Sequence, residues 1–94
     1  MKSMYSVGAN FERRVVKEFL LQGASWAVRT AGSHSPIDVV AFFDKHVIAC
    51  QCQISPPFSA GKKEALLEAI RNKDYAVGYL VWRYKREICM EQVY

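Results

Sequence analysis

The sequence predicts an α/β fold, a mixed β-sheet flanked by helices in the order α-β-β-β-α-β-β. Three observations carry this. Apolar residues recur at helical steps over residues 7–22, and a second helical stretch covers 59–74. Short apolar runs bounded by turn residues read as strands. The runs 37–43 and 46–53 are apolar on both faces, as central strands covered on each side by helices should be.

The first helix follows from Val7, Phe11, Val15, Val16, Phe19 and Leu20, which fall at three- and four-residue steps, with Gly23 as its stop. Residues 26–32 form a short strand, followed by the polar turn Ser33-His34-Ser35-Pro36. Strands 37–43 and 46–53 join through Asp44 and Lys45 as a tight hairpin. The stretch 54–58, with Pro56 and Pro57, is a break, and Ser59 is placed to cap the second helix. Residues 76–84 and 87–93 make a final hairpin around Lys85 and Arg86. No repeat or linker divides the chain.

A chain of 94 residues, 51% of them hydrophobic, is expected to be one folded domain, residues 1–94. No apolar run is long enough to span a bilayer, and no export signal precedes the first helix, so a cytoplasmic location without membrane partners is expected. The three cysteines, at 50, 52 and 89, then read as small buried hydrophobes and not as a disulfide framework or zinc site. The net charge of +4 suits a polyanionic partner without demanding one.

One charge sits where a helix should be apolar. At about 100° per residue, Glu12 falls between Phe19 and Val16, inside the buried arc, while Arg13, Arg14, Lys17 and Glu18 face the other way. A buried carboxylate costs several kcal/mol unless it is paired or binds a metal, so Glu12 belongs to a site or to a core arginine. The hairpin supplies a second polar cluster. With Asp44 and Lys45 as a two-residue loop, Phe43 faces His46 and Asp38 falls opposite Gln51, with Gln53 on the same face. If the first helix packs on that face, Glu12 joins Asp38 and the two amides at one sheet end. Converging acids of this kind bind Mg²⁺ through oxygen ligands, and the ion can polarise a phosphodiester.

Residues 8–42, GANFERRVVKEFLLQGASWAVRTAGSHSPIDVVAF, followed by HVIACQCQIS, resemble the archaeal Holliday junction resolvases, small members of the PD-(D/E)XK nuclease superfamily. The resemblance implies a restriction-endonuclease-like fold, junction DNA as substrate, Mg²⁺ as cofactor and assembly as a homodimer. It places Glu12 as the helix-1 glutamate, Arg29, Gly32 and Ser33 as the arginine and loop preceding the catalytic aspartate, and Asp38 as that aspartate. The acid-x-lysine pair of the family falls on Gln51 and Gln53. The catalytic set is thus Glu12, Asp38, Gln51 and Gln53, with Glu12, Asp38 and the Gln51 carbonyl as metal ligands. Both glutamines are neutral, so metal binding is expected to be weak and nuclease activity weak or absent.

Lys62 and Lys63, at the start of the second helix, can supply a replacement lysine or contact phosphate. Arg13, Arg14, Lys17 and Arg29 form a candidate basic track along DNA, joined by Ser33 and His34 in the loop. Tyr75, Tyr79, Trp82, Tyr84 and Tyr94 enrich the C-terminal hairpin in aromatics, which suits core packing or a dimer surface. Three functions follow: a branched-DNA-binding protein with an eroded nuclease centre, an active Mg²⁺-dependent structure-specific endonuclease using a lysine from elsewhere, or a non-catalytic dimeric assembly module.

Overall fold

A computed structural model describes residues 4–30, 35–55 and 58–94. Its elements run α1 Met4–Leu21, β1 Trp26–Arg29, β2 Val39–Phe42, β3 Val47–Gln53, α2 Ala60–Ile70, β4 Ala76–Tyr84 and β5 Glu87–Gln92, the order expected from the sequence. The five strands lie in the sheet in chain order, with β3 and β4 parallel and every other neighbouring pair antiparallel.

α1 buries Phe11, Val15 and Phe19, a single stripe, and leaves Arg13, Arg14 and Lys17 exposed. Its end is a Schellman turn. Gly23 takes φ 106°, its N–H donates to Leu20 O at 3.2 Å, and the Ala24 N–H donates to Phe19 O at 3.0 Å. Ala24 and Phe19 both enter the core, so the cap also fixes how the chain passes into β1.

The two sheet faces are divided between the helices. α1 covers Ala27, Val39, Ala41, Ile48, Cys50, Cys52 and Val81. α2 covers Ala49 and Leu80 through Leu66 and Ile70. The alternation of β3 therefore sends Cys50 and Cys52 towards α1 and leaves Gln51 and Gln53 on the α2 side. The condition that α1 packs on the glutamine face is therefore not met. Cys50 and Cys52 are buried, and burial pushes both thiols far above their ordinary pKa, so they stay protonated and act as core hydrophobes.

The β2–β3 hairpin has the expected turn and register: Phe42 pairs with Val47 and Val39 with Cys50. The register stops one residue short of the expected Asp38–Gln51 pair. The Asp38 N–H donates to Cys50 O, the partner of Val39, at 2.7 Å. In addition, Ile37 packs with the α2 cluster while Val39 packs with the α1 cluster, so the two-residue alternation slips at Asp38. Asp38 thus precedes β2 and does not face Gln51 across the ladder, a local irregularity of the bulge type.

α2 starts as expected, with Ser59 Oγ accepting from the Lys62 N–H at 3.1 Å. It ends at Ile70 and not at residue 74, because Arg71 turns extended and Asn72 enters the left-handed region at φ 67°. The short return to β4 is tight: a Cβ on Gly78 would lie 2.6 Å from Ile70 Cδ1. Among the described residues, no helix is long and apolar enough to cross a membrane.

Candidate functional site

The slip at Asp38 shapes the site. The approach to it is pinned by the Ser35 hydroxyl, which accepts the Ile37 N–H at 3.1 Å, and by the Thr30 N–H, which donates to Asp38 O at 3.0 Å. The Thr30 hydroxyl adds a hydrogen bond to Ile37 O. So held, the Asp38 carboxylate turns to the β3 backbone and accepts the Cys52 N–H at 2.9 Å. It is pinned between the two glutamine positions, at the end of the sheet.

Groups from both sheet faces act on this carboxylate. Burial pushes the Asp38 pKa above its ordinary 3.8; the Cys52 N–H lowers it, Glu12 raises it, and Lys62 and Arg29 lower it. Glu12, Arg29 and Lys62, all singled out in the sequence, therefore lie within electrostatic reach of Asp38. Glu12, half-buried as the helical wheel requires, accepts a hydrogen bond from Arg29 Nε at 3.0 Å. Glu12 is thus paired with an arginine, one of the two roles open to it.

The glutamines differ. Gln51 is buried beside Ala49 on the α2 side and opposite Leu80. Gln53 is half-exposed, donates through Nε2 to Ser55 O, and accepts at Oε1 from Lys62 Nζ at 3.0 Å. An ammonium thus reaches the place that the resemblance assigns to a lysine, from α2 instead of from β3. The Ser59 cap sets the first turn of α2 and so aims Lys62 at this spot.

Other expected binding residues are spread more widely. Arg13 and Arg14 are exposed on α1; Arg13 Nη1 donates to Asn10 Oδ1 and Arg14 Nη2 to Arg86 O, both at 2.9 Å. Lys17 and Lys63 are exposed. Ser33 and His34, together with Gly32, lie outside the described residues. Of the hairpin aromatics, Tyr75, Tyr84 and Tyr94 are exposed, Tyr79 packs against the α1 core, and Trp82 meets Phe58 edge-on at 6.3 Å. An exposed stack of Trp26 on Phe42 escaped the sequence reading. So did the anchoring of Asp38 by a main-chain amide, which no side-chain pattern announces.

As a cation site the cluster is incomplete. Among the described residues, no three His, Cys, Asp or Glu side chains converge. The two acids present are engaged, Asp38 by a backbone N–H and Glu12 by a guanidinium. The remaining candidate, the Gln51 amide, is neutral, and hard cations favour charged oxygens. These residues do not fit a tightly held divalent ion.

No protein-family model matches the chain, and no curated protein matches it either. Among solved structures it is similar to Hjc, a Holliday junction resolvase from the archaeal hyperthermophile Archaeoglobus fulgidus, at 25% identity and a TM-score of 0.75. The match covers 88% of this chain and 73% of that one. The chain therefore has a Holliday junction resolvase-like nuclease fold, built on a five-stranded sheet flanked by helices.

Proposed function

We propose that this protein binds branched or junction DNA and that its nuclease centre is eroded to weak or no activity. One observation carries the reading. Within a resolvase-like fold, Asp38 stands at the sheet end next to two neutral amides, Gln51 and Gln53, which the resemblance sets where the family has an acid and a lysine. Without the acid, Mg²⁺ binds weakly. Without a lysine on β3, less positive charge meets the developing charge on a phosphodiester. The basic residues of α1, with Lys62 and Lys63, supply phosphate contacts, and the protein works as a homodimer of a single domain in the cytoplasm.

The contact between Lys62 and Gln53 favours a second reading. Here Lys62 replaces the missing lysine and the protein is an active Mg²⁺-dependent structure-specific endonuclease. A labelled four-way junction, tested for retardation and for cleavage with Mg²⁺ or Mn²⁺, separates the two. Retardation with little or no cleavage is expected. Rapid cutting that stops in Lys62→Ala with Lys63→Ala establishes the second reading. Absence of any binding leaves the assembly module, and sedimentation of the free protein then reads its dimerisation.

A further inference from the structure

Between α1 and β4 lies a cavity of about 360 Å³, lined by Val7, Asn10, Phe11, Arg14 and Arg83. The four α1 residues follow at one-, three- and four-residue steps along a single stretch of the helix. Arg83, half-buried on β4, arrives from the sheet. Arg14 is already oriented by its bond to Arg86 O, which uses one of its five N–H donors. The Asn10 carbonyl accepts from Arg13, so the hydrogens of its Nδ2 amide are left as donors.

Charge decides what this cavity accepts. Among the described residues, the ion pairs join Arg29 to Glu12 and Arg71 to Glu64 and Glu68; neither Arg14 nor Arg83 meets a carboxylate. Arg14 and Arg83 both line the recess, and an anion held between two arginines offsets their like charges. A tetrahedral phosphate offers oxygens in several directions, which suits donors arriving from a helix and a strand at once. The recess is open to solvent on one side, and Val7 and Phe11 give it an apolar wall against which the sugar attached to the phosphate can lie.

We propose that this recess is a phosphate-binding pocket, with Arg14, Arg83 and the Asn10 amide as donors, and that it takes one backbone phosphate of bound nucleic acid. The choice of nucleic acid rests on the DNA-binding reading above; the affinity for phosphate does not. Arg83 is the residue that gives the pocket its identity, since it lies far from the helix-1 basic face in sequence.

The test uses the whole chain labelled for NMR. Inorganic phosphate is titrated at constant ionic strength while the Arg83 Nε–H and Asn10 side-chain signals are followed. In parallel, junction binding is measured across a salt series for the wild type, Arg83→Gln and Arg83→Lys. Saturable phosphate shifts are expected in the wild type, with those of the Asn10 amide lost in Arg83→Gln, and with a fall of about 1 in the salt slope for that variant and none for Arg83→Lys. Saturable shifts with an unchanged slope overturn the nucleic-acid source and leave a pocket for free phosphate. If the wild type binds no DNA yet shows the shifts, the function reading fails and the pocket stands. No saturable response in the wild type, with an unchanged slope in both variants, overturns the proposal. Should Arg83→Gln unfold, the wild-type titration still decides the pocket, and Arg83→Met takes the place of Arg83→Gln in the salt series.

Discussion

At the residue scale, the proposed function turns on the neutrality of Gln51 and Gln53. Changing Gln51→Glu with Gln53→Lys should strengthen metal binding, read by calorimetry, and raise junction cleavage. A single electrostatic stabiliser of this kind is typically worth ~3 kcal/mol, about two orders of magnitude in rate. The gain should disappear when Asp38→Ala is added. A lysine at 53 would also repel Lys62, which now donates to Gln53 Oε1, so adding Lys62→Ala should leave the gain intact. Asp38 itself predicts a pH effect. Burial holds its proton to higher pH in the folded chain than in the unfolded one. The stability contributed by the protonated form is therefore full below the unfolded pKa and is lost as pH rises through the folded pKa. Asp38→Asn, neutral throughout, should be more stable than the wild type in urea at pH 7, with the difference closing below the ordinary 3.8. A less stable Asp38→Asn at pH 7 would mean that the carboxylate's bond to the Cys52 N–H outweighs its burial.

At the element scale, Ser59 and Gly78 connect packing to the site. Ser59→Ala removes the α2 cap and should cost about 1 kcal/mol; because Lys62 sits in that first turn, its contact with Gln53 should loosen as well. Gly78→Ala drives a methyl into Ile70 on the α2 side and should cost about 1–3 kcal/mol, read by thermal or urea melting. The elements themselves were legible in the sequence because each carries its own period: the Phe11-Val15-Phe19 stripe, the Asp44-Lys45 turn, the Ser59 cap. What was not legible arises between elements. No local pattern states which sheet face receives α1, and the condition that it packs on the glutamine face is not met. The Asp38–Gln51 pairing assumed that alternation continues to the start of the strand, whereas it slips between Ile37 and Val39. The end of α2 was read too late because Arg71-Asn72 looks helical in composition, although asparagine accepts the left-handed turn that ends it. The candidate residues nonetheless stood out in the sequence, since a carboxylate in an apolar stripe and two amides on a strand are conspicuous without any geometry. Their partners, a main-chain amide for Asp38 and Lys62 for Gln53, needed the fold.

At the scale of the whole molecule, a net charge of +4 matters less than how it is distributed. Two cations, Arg29 and Lys62, are drawn into the cluster around Asp38, and Arg71 is paired with Glu64 and Glu68. Arg13, Arg14 and Lys17 remain on the exposed side of α1, where no acid among the described residues neutralises them. If that helix face tracks the nucleic-acid backbone, each phosphate it meets releases condensed counterions, and the salt dependence counts the contacts. The triple change Arg13→Gln, Arg14→Gln, Lys17→Gln should weaken junction binding and flatten the plot of log affinity against log salt by about 0.9 per lost contact, up to roughly 3 in all. The loss should be the same on junctions of different sequence, because phosphate contacts position the protein without reading bases. Arg14 also ties α1 to the β4–β5 turn through Arg86 O, so the melting temperature of the triple variant must be compared with that of Arg14→Gln alone. A folded triple variant with the wild-type salt slope would place the binding surface elsewhere, with the α2 lysines, Lys62 and Lys63, the next to be neutralised.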